Sequence, residues 1–234
     1  DLSLKYTGHF NDVKDLLFED SSEVLNSKRN KAFQDFVLQG IPSRKNENYK
    51  YTNLQPKFFP DYKFIHQREK VEVDLNAAFR CDVPQLDTHL AFIFNGWYYE
   101  ENKSVGKLPE GVILESLDKI AHEKPELLGK YAQLAKTDED PLIALNTAFA
   151  KDGFFLYVPK NTVVEKPLQI INFLQANRDA FATQRNFIYI EEGADVKMLS
   201  CDHTLNLNSY LSNSVTEIFV GPNASFEYYA LQNQ

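Results

Sequence analysis

Cysteine is nearly missing from this chain: Cys81 and Cys201 are the only two in 234 residues. Two thiols cannot build a disulfide framework. Their scarcity fits a reducing compartment, with one bridge as the arithmetic alternative. Glycine is sparse too, nine residues scattered singly. No GxGxxG or GxxxxGKS/T run occurs, so there is no loop of the kind that cradles phosphates. A GxSxG elbow and an HExxH helix are also absent. Nucleotide hydrolysis by this chain alone is not expected. No apolar stretch approaches membrane-spanning length and no basic-then-apolar leader opens the sequence, so a cytoplasmic setting without membrane contact is expected. The chain starts at Asp1 rather than at a methionine, which suggests a natural start further upstream. Positive charge is the last shortage: 25 Lys and Arg face 33 Asp and Glu, a net charge of −8. Nucleic-acid binders normally need a basic footprint to displace counterions, so no nucleic-acid partner is expected.

Apolar residues are plentiful by contrast. At 43 % hydrophobic and 25 % charged, the composition is that of an ordinary globular protein, long enough for one large domain or two modest ones. Phe10, Val13, Leu16 and Leu17 recur at three- and four-residue intervals, the stripe of a helix with one buried face. A second helix is predicted over residues 22–39, with Val24, Leu25, Ala32, Phe33, Phe36 and Val37 on its apolar side. Gly40 supplies a left-handed stop and Pro42 prevents resumption. HLAFIFNGWYY at 89–99 reads as a hairpin turning at Asn95-Gly96. Two further helices are predicted, one over residues 125–135 and a shorter one capped by Asp140 with Pro141 at its first position.

From Asp152 the pattern changes. Short apolar runs follow one another at 154–158, 168–174, 187–190, 196–199, 215–220 and 226–231, rich in β-branched and aromatic residues. Two corners rhyme, Glu192-Gly193-Ala194 and Gly221-Pro222-Asn223-Ala224, with their alanines 30 residues apart. That spacing suits a coil of three short strands. A β-helix or a sandwich would both use such segments, and the loop spacings do not decide handedness.

Chemistry-bearing residues are few. Cys201 and His203, two apart on a strand, would face one side and could share a metal ion, but no further ligands stand at a suitable spacing. The plainer reading makes Cys201 a small buried hydrophobe and His203 a hydrogen-bonded corner. Adjacent acids occur at Glu191-Glu192, Glu100-Glu101 and Asp138-Glu139-Asp140. A carbohydrate-binding or polysaccharide-active β-helix would need paired acids beside exposed rings such as Tyr98 or Tyr229. Tyr49, Tyr51, Tyr98, Tyr99, Tyr228 and Tyr229 are taken as exposed aromatics, with packing as the commoner role. In a regular strand one ring of Tyr228-Tyr229 faces inward and the other outward.

The densest polar-aromatic stretch is GIPSRKNENYKYTNLQP at 40–56. As a joint it would use Ser43 or Asn46 to cap a turn, bury the rings of Tyr49 and Tyr51, and tie Arg44 to Glu47. As a contact it would offer Arg44, Lys45 and Lys50 to a partner. Gly40, Ile41, Pro42, Arg44, Lys45, Glu47, Tyr49, Lys50, Tyr51, Thr52, Asn53 and Leu54 closely resemble a signature of the SufB/SufD family of iron–sulfur cluster assembly proteins. The resemblance continues in LNTAFAKDGFFLYVPKNTVVEKPLQI at 145–170, in EEGADVKML and in VTEIFVGPNASFEYYALQ at 215–232, and so runs through nearly the whole chain in order. It leans to SufD, because the cysteine-bearing N-terminal part associated with SufB is not evident.

That resemblance implies a mainly β fold, a single-stranded right-handed parallel β-helix behind a mainly helical N-terminal region. The division would fall into residues 1–143, with a small β element, and 144–234, the first coils. It implies a non-catalytic scaffold working with a SufB-like scaffold and a SufC-like ABC ATPase, or a homodimer in isolation. The Fe–S cluster would be the product of the complex, ATP would sit on the partner ATPase, and no cofactor would be held firmly by this chain. The family's C-terminal coils, its helices and its cluster-handling cysteine and histidine would lie beyond Gln234, so that role is not transferred to Cys201 or His203.

Overall fold

The computed structural model describes residues 2–69, 86–99 and 105–233. Helix α1 (Leu2–Phe18) buries Tyr6, Phe10 and Leu17, one face of its apolar periodicity. Helix α2 (Glu23–Gln39) begins at Ser22, whose side chain accepts a hydrogen bond from the Leu25 amide at 3.2 Å. It ends at Gly40, where φ is 66° and the amide donates to Phe36 O at 2.7 Å. The Ser3 hydroxyl accepts from the next amide, Ile41 N, at 3.0 Å. The stop of α2 is therefore fastened to the start of α1.

After the short α3 (Gln55–Phe58) come β1 (Lys63–Phe64), β2 (His89–Phe94), β3 (Trp97–Tyr98), β4 (Ile113–Ser116), α4 (Leu117–Glu123) and α5 (Pro141–Phe149). The predicted hairpin is β2–β3, with Ile93 opposite Tyr98 and positive φ at both Asn95 and Gly96. The predicted cap of α5 is also present: one Asp140 carboxylate oxygen accepts from Leu142 N at 2.7 Å and Ile143 N at 3.2 Å. β4 and α4 went unforeseen, because ILES is short and its last residue, Ser116, already caps the helix by accepting from Lys119 N.

Six strands follow: β5 (Phe154–Val158), β6 (Val163–Leu174), β7 (Ala180–Ile190), β8 (Asp195–Thr204), β9 (Tyr210–Val220) and β10 (Ser225–Asn233). Consecutive strands lie in different sheets. β5, β7 and β9 pair in parallel in one, and β6, β8 and β10 in the other. β1 joins the first sheet beside β7 and β2 joins the second beside β6, both in parallel. Residues before 143 thus contribute strands to both sheets. Ala180 lies opposite Tyr210 and Asp195 opposite Ser225, the same step of 30 residues at two places. The corners stack as well: Gly193 N donates to Pro222 O at 2.9 Å and Ser225 N to Ala194 O at 2.8 Å.

Two expectations are corrected here. A coil contains two long strands, not three short ones. The strands run through polar stretches such as residues 183–186 that the apolar runs left out, because continuous parallel pairing with β9 carries them onward. The helix expected over 125–135 is only a 3-10 turn, Pro125–Leu128. Beyond it, the amides of Ala132, Leu134 and Ala135 donate to the Glu217 carboxylate at 2.8, 2.8 and 3.0 Å instead of to helical carbonyls.

Glu217 is also the acid of a buried ion pair, 2.7 Å from Arg185 with both side chains about 1 % exposed. Arg185 donates further to Thr147 Oγ at 3.2 Å and its guanidinium lies over the Tyr131 ring. The pair joins α5, the 129–135 segment, β7 and β9. Burying two charges is costly, and four donors around one carboxylate offset much of that cost. Arg29 plays a similar role without an acid, donating to Ala148 O at 2.9 Å and Ala150 O at 3.0 Å.

The core divides into layers. Ala91, Ile93, Leu156, Leu168, Ile170, Ile188, Ile190, Val196 and Met198 fill one half of the space between the sheets. Outside the sheets, α1, α2 and α5 pack Tyr6, Phe10, Phe36 and Phe149 against Phe181, and α4 packs against Phe155 and Phe187.

Two stability predictions follow from this packing. A Cβ on Gly96 would sit 2.1 Å from Thr183 O, so Gly96→Ala should lower stability by about 3 kcal/mol and Tm by roughly 6–12 °C. Glu217→Gln should cost about 3–5 kcal/mol in urea unfolding because it strands Arg185, and the double variant Arg185→Met/Glu217→Leu should recover part of that loss.

Candidate functional site

The stretch 40–56 is a joint with an exposed rim. Ser43 N donates to Asn46 Oδ1 at 2.9 Å and Asn46 N to Ser43 O at 2.9 Å, closing the turn before the 3-10 helix Glu47–Tyr49. Tyr49 carries the long-range tie: its hydroxyl donates to Asp140 Oδ2 at 2.7 Å, the carboxylate whose other oxygen caps α5. Burial raises the Tyr49 pKa, with the Asp140 hydrogen bond adding to it. Ile41 and Pro42 are buried, and Leu54 packs beneath α1. Two details differ from expectation. Tyr51 is 89 % exposed rather than buried, and Glu47 pairs with Lys50, not Arg44. Lys50 also lies 5.1 Å above the Tyr51 ring. Arg44, Lys45, Thr52 and Asn53 stay at the surface.

Cys201 is buried, packed with Phe92, Phe94, Ile171 and Phe173, and its Sγ accepts from Gln169 Nε2 at 3.8 Å. His203 follows on the same strand with its ring 5.9 Å from Phe173. Among the described residues no group of three or more His, Cys, Asp or Glu side chains is placed to hold a metal ion. Cys81 and the Glu100-Glu101 pair lie outside the described residues. Among the described residues the acid-and-ring grouping required by a glycan site does not form. Tyr98 is 3 % exposed and donates to Leu114 O at 3.1 Å. Glu191 accepts from Lys160 N at 3.0 Å and Glu192 from Lys160 Nζ at 2.7 Å, a clip between successive coils.

Sequence reading missed the polar half of the space between the sheets. Asn172, Gln184, Asn186, Ser200, Asp202 and Thr216 line a cleft of about 340 Å³ there. Asn172 Nδ2 donates to Asp202 Oδ1 at 2.7 Å and Ser200 Oγ at 3.1 Å. Gln184 Nε2 donates to Asn172 Oδ1 at 3.1 Å and Asn186 Oδ1 at 2.9 Å, and Asn186 Nδ2 to Thr216 Oγ1 at 2.9 Å. Tyr228 faces this cleft with its hydroxyl bonded to Ser200, while the Tyr229 hydroxyl donates outside to Glu227 at 2.6 Å, so the doublet does point both ways. The lining is thus amides and hydroxyls with one carboxylate, Asp202, groups that bind water or polar ligands.

Two buried titratable groups were also unforeseen. Asp152 accepts from Ser116 Oγ at 2.8 Å, Tyr98 N at 3.0 Å, Asp118 N at 3.2 Å and Arg68 at 3.3 Å, and burial pushes its pKa up to about 6. Both oxygens are occupied in tying the hairpin to α4, which makes Asp152 a structural hub. His9 and His66 meet with their Nε2 atoms 2.7 Å apart, the His66 ring stacked on Phe149. One Nε2 must donate and the other accept, so at least the accepting ring is neutral. Burial, then the neighbouring His9, Lys151 and Arg29, press the His66 pKa down to about 3.

That depression has a definite sign. The unfolded chain gains a proton at this histidine as pH falls below about 6.5, whereas the folded chain resists until far lower. Stability from His66 is therefore complete above that value and is lost as pH drops toward 3. His66→Phe keeps the stack without the titration. Its Tm should fall less than that of the wild type between pH 6.5 and 4, with the gap measured by thermal melts.

A family model described as "SufBD protein N-terminal region" matches residues 1–170, and one described as "SUF system FeS cluster assembly, SufBD core domain" matches residues 173–234. An iron–sulfur cluster assembly SufBD family protein of Synechocystis is 25 % identical over 226 residues, covering 92 % of this chain and 48 % of that protein. The iron–sulfur cluster assembly protein SufD of Bacillus subtilis is 32 % identical over 126 residues, covering 53 % of this chain and 29 % of that protein. A SufBD family protein of Staphylococcus aureus is also 32 % identical, over 127 residues, covering 53 % of this chain and 27 % of its own. The chain thus spans about half or less of the length of these curated relatives. With both family regions matched in order along it, this chain belongs to the SufB/SufD family of iron–sulfur cluster assembly proteins.

Proposed function

We propose that the chain is the helical region and first coils of a SufD-type scaffold subunit that assists iron–sulfur cluster assembly without catalysing a reaction itself. The observation that carries the reading is the ordered match to both SufBD regions, together with a SufD-named relative. The parallel pairing of every second strand supports reading the two sheets as the walls of one right-handed, single-stranded parallel β-helix, with residues 1–143 as its head and 144–234 as its first coils. In such a body the position of a bound partner is fixed by many strand pairings rather than by loops.

In this reading the partners are a SufB-like scaffold and a SufC-like ABC ATPase, ATP belongs to the ATPase, and the Fe–S cluster is cargo built by the complex. The setting is the cytoplasm. No helix among the described residues is long and apolar enough to cross a membrane.

Co-expression of the full-length natural protein with SufB-like and SufC-like subunits, purified anaerobically, tests the proposal. The three should elute as one complex. Elution of this protein alone, under conditions where the other two still associate, would overturn it.

A further inference from the structure

We propose that the pole where the end of α2, the loop 40–56 and the start of α1 meet is a docking surface for an acidic protein segment that also carries apolar side chains. This inference goes beyond the scaffold reading and does not depend on it.

The pole is defined by contacts. Ser3 of α1 holds Ile41 just after α2, and Lys5 of α1 reaches the carbonyls of Phe59 and Pro60 beyond α3. On it stand Leu4, Leu38, Tyr51 and Phe59, exposed by 66, 85, 89 and 65 % respectively. Large apolar side chains so exposed, gathered from α1, α2, the loop and the end of α3, mark interaction surfaces more than chance does.

Charge indicates what would cover them. Residues 37–59 hold four basic side chains, Arg44, Lys45, Lys50 and Lys57, against one acid, Glu47, in a chain of net charge −8. Glu47 is taken by Lys50, and Asp61 nearby lies 3.8 Å from Lys5. Arg44, Lys45 and Lys57 form no ion pair with any described residue. A partner's carboxylates would meet these three while its apolar side chains cover Leu38 and Phe59.

Other occupants fit less well. A symmetric pairing of two copies would set this basic pole against itself. A flat anionic bilayer would meet the Asp61 carboxylate, 91 % exposed, along with the lysines.

The test uses the full chain and a fluorescein-labelled peptide of glutamate and leucine at helical spacing, followed by anisotropy. Wild type should bind saturably, and more tightly than it binds poly-glutamate. Arg44→Glu/Lys45→Glu/Lys57→Glu should weaken binding about tenfold or more, and Leu38→Ser/Phe59→Ser about threefold or more, with melting temperatures unchanged in both. Raising salt to about 150 mM should weaken the wild type more than the charge-reversed variant. Absence of saturable binding, or equal affinity for wild type and both variants, would overturn the proposal. So would binding confined to phosphatidylglycerol vesicles, or self-association in sedimentation that the same substitutions abolish.

Discussion

Backbone pairing from each strand to the second one after it is the constraint on which this architecture rests. A parallel ladder needs a long connection between partners, and here that connection is the opposite strand with its two corners. β7 is paired along its whole length by β9 on one side, and at its two ends by β1 and β5 on the other. Side chains in such a strand are then free to be polar or apolar, because the backbone alone holds it straight.

The head is joined to this stack rather than merely placed beside it. β1 and β2 are rungs of the two sheets, although Lys63 precedes its partner Ala180 by 117 residues and His89 precedes its partner Leu168 by 79. Arg29, the Arg185–Glu217 pair and the Tyr49–Asp140 contact then bind helices, loop and strands with charge-assisted bonds. Ties of this kind resist relative movement of the elements that they join.

How much of this could be read from residues alone depended on range. Local signals were clear: Ser22 and Asp140 as caps, Gly40 as a stop, Asn95-Gly96 as a turn, and the rhyming corners with their step of 30. Strand ends were misjudged, since Gln184 and Asn186 look like loop residues until they are seen bonding one another between two sheets. The 129–135 segment carries a helical composition, yet Glu217 from far along the chain claims its amides. His9 and His66, or Tyr49 and Asp140, have no shared spacing at all to announce their meeting. Glu217 had one faint clue: a charge inside an otherwise apolar run, about one coil from Arg185.

The polar and apolar halves of the inner space have a consequence for alignment. Parallel strands of like composition can slide past one another with little loss of pairing, and a shift of one residue turns the wall inside out. A shift of two keeps the same residues inside, so ordinary alternation does not forbid it. Here it would set Ile188 against Thr216 and break the Asn186–Thr216 bond at the same stroke. The boundary between the polar and apolar halves of the inner space thus works as a vernier, locking each strand to its neighbour at a single setting.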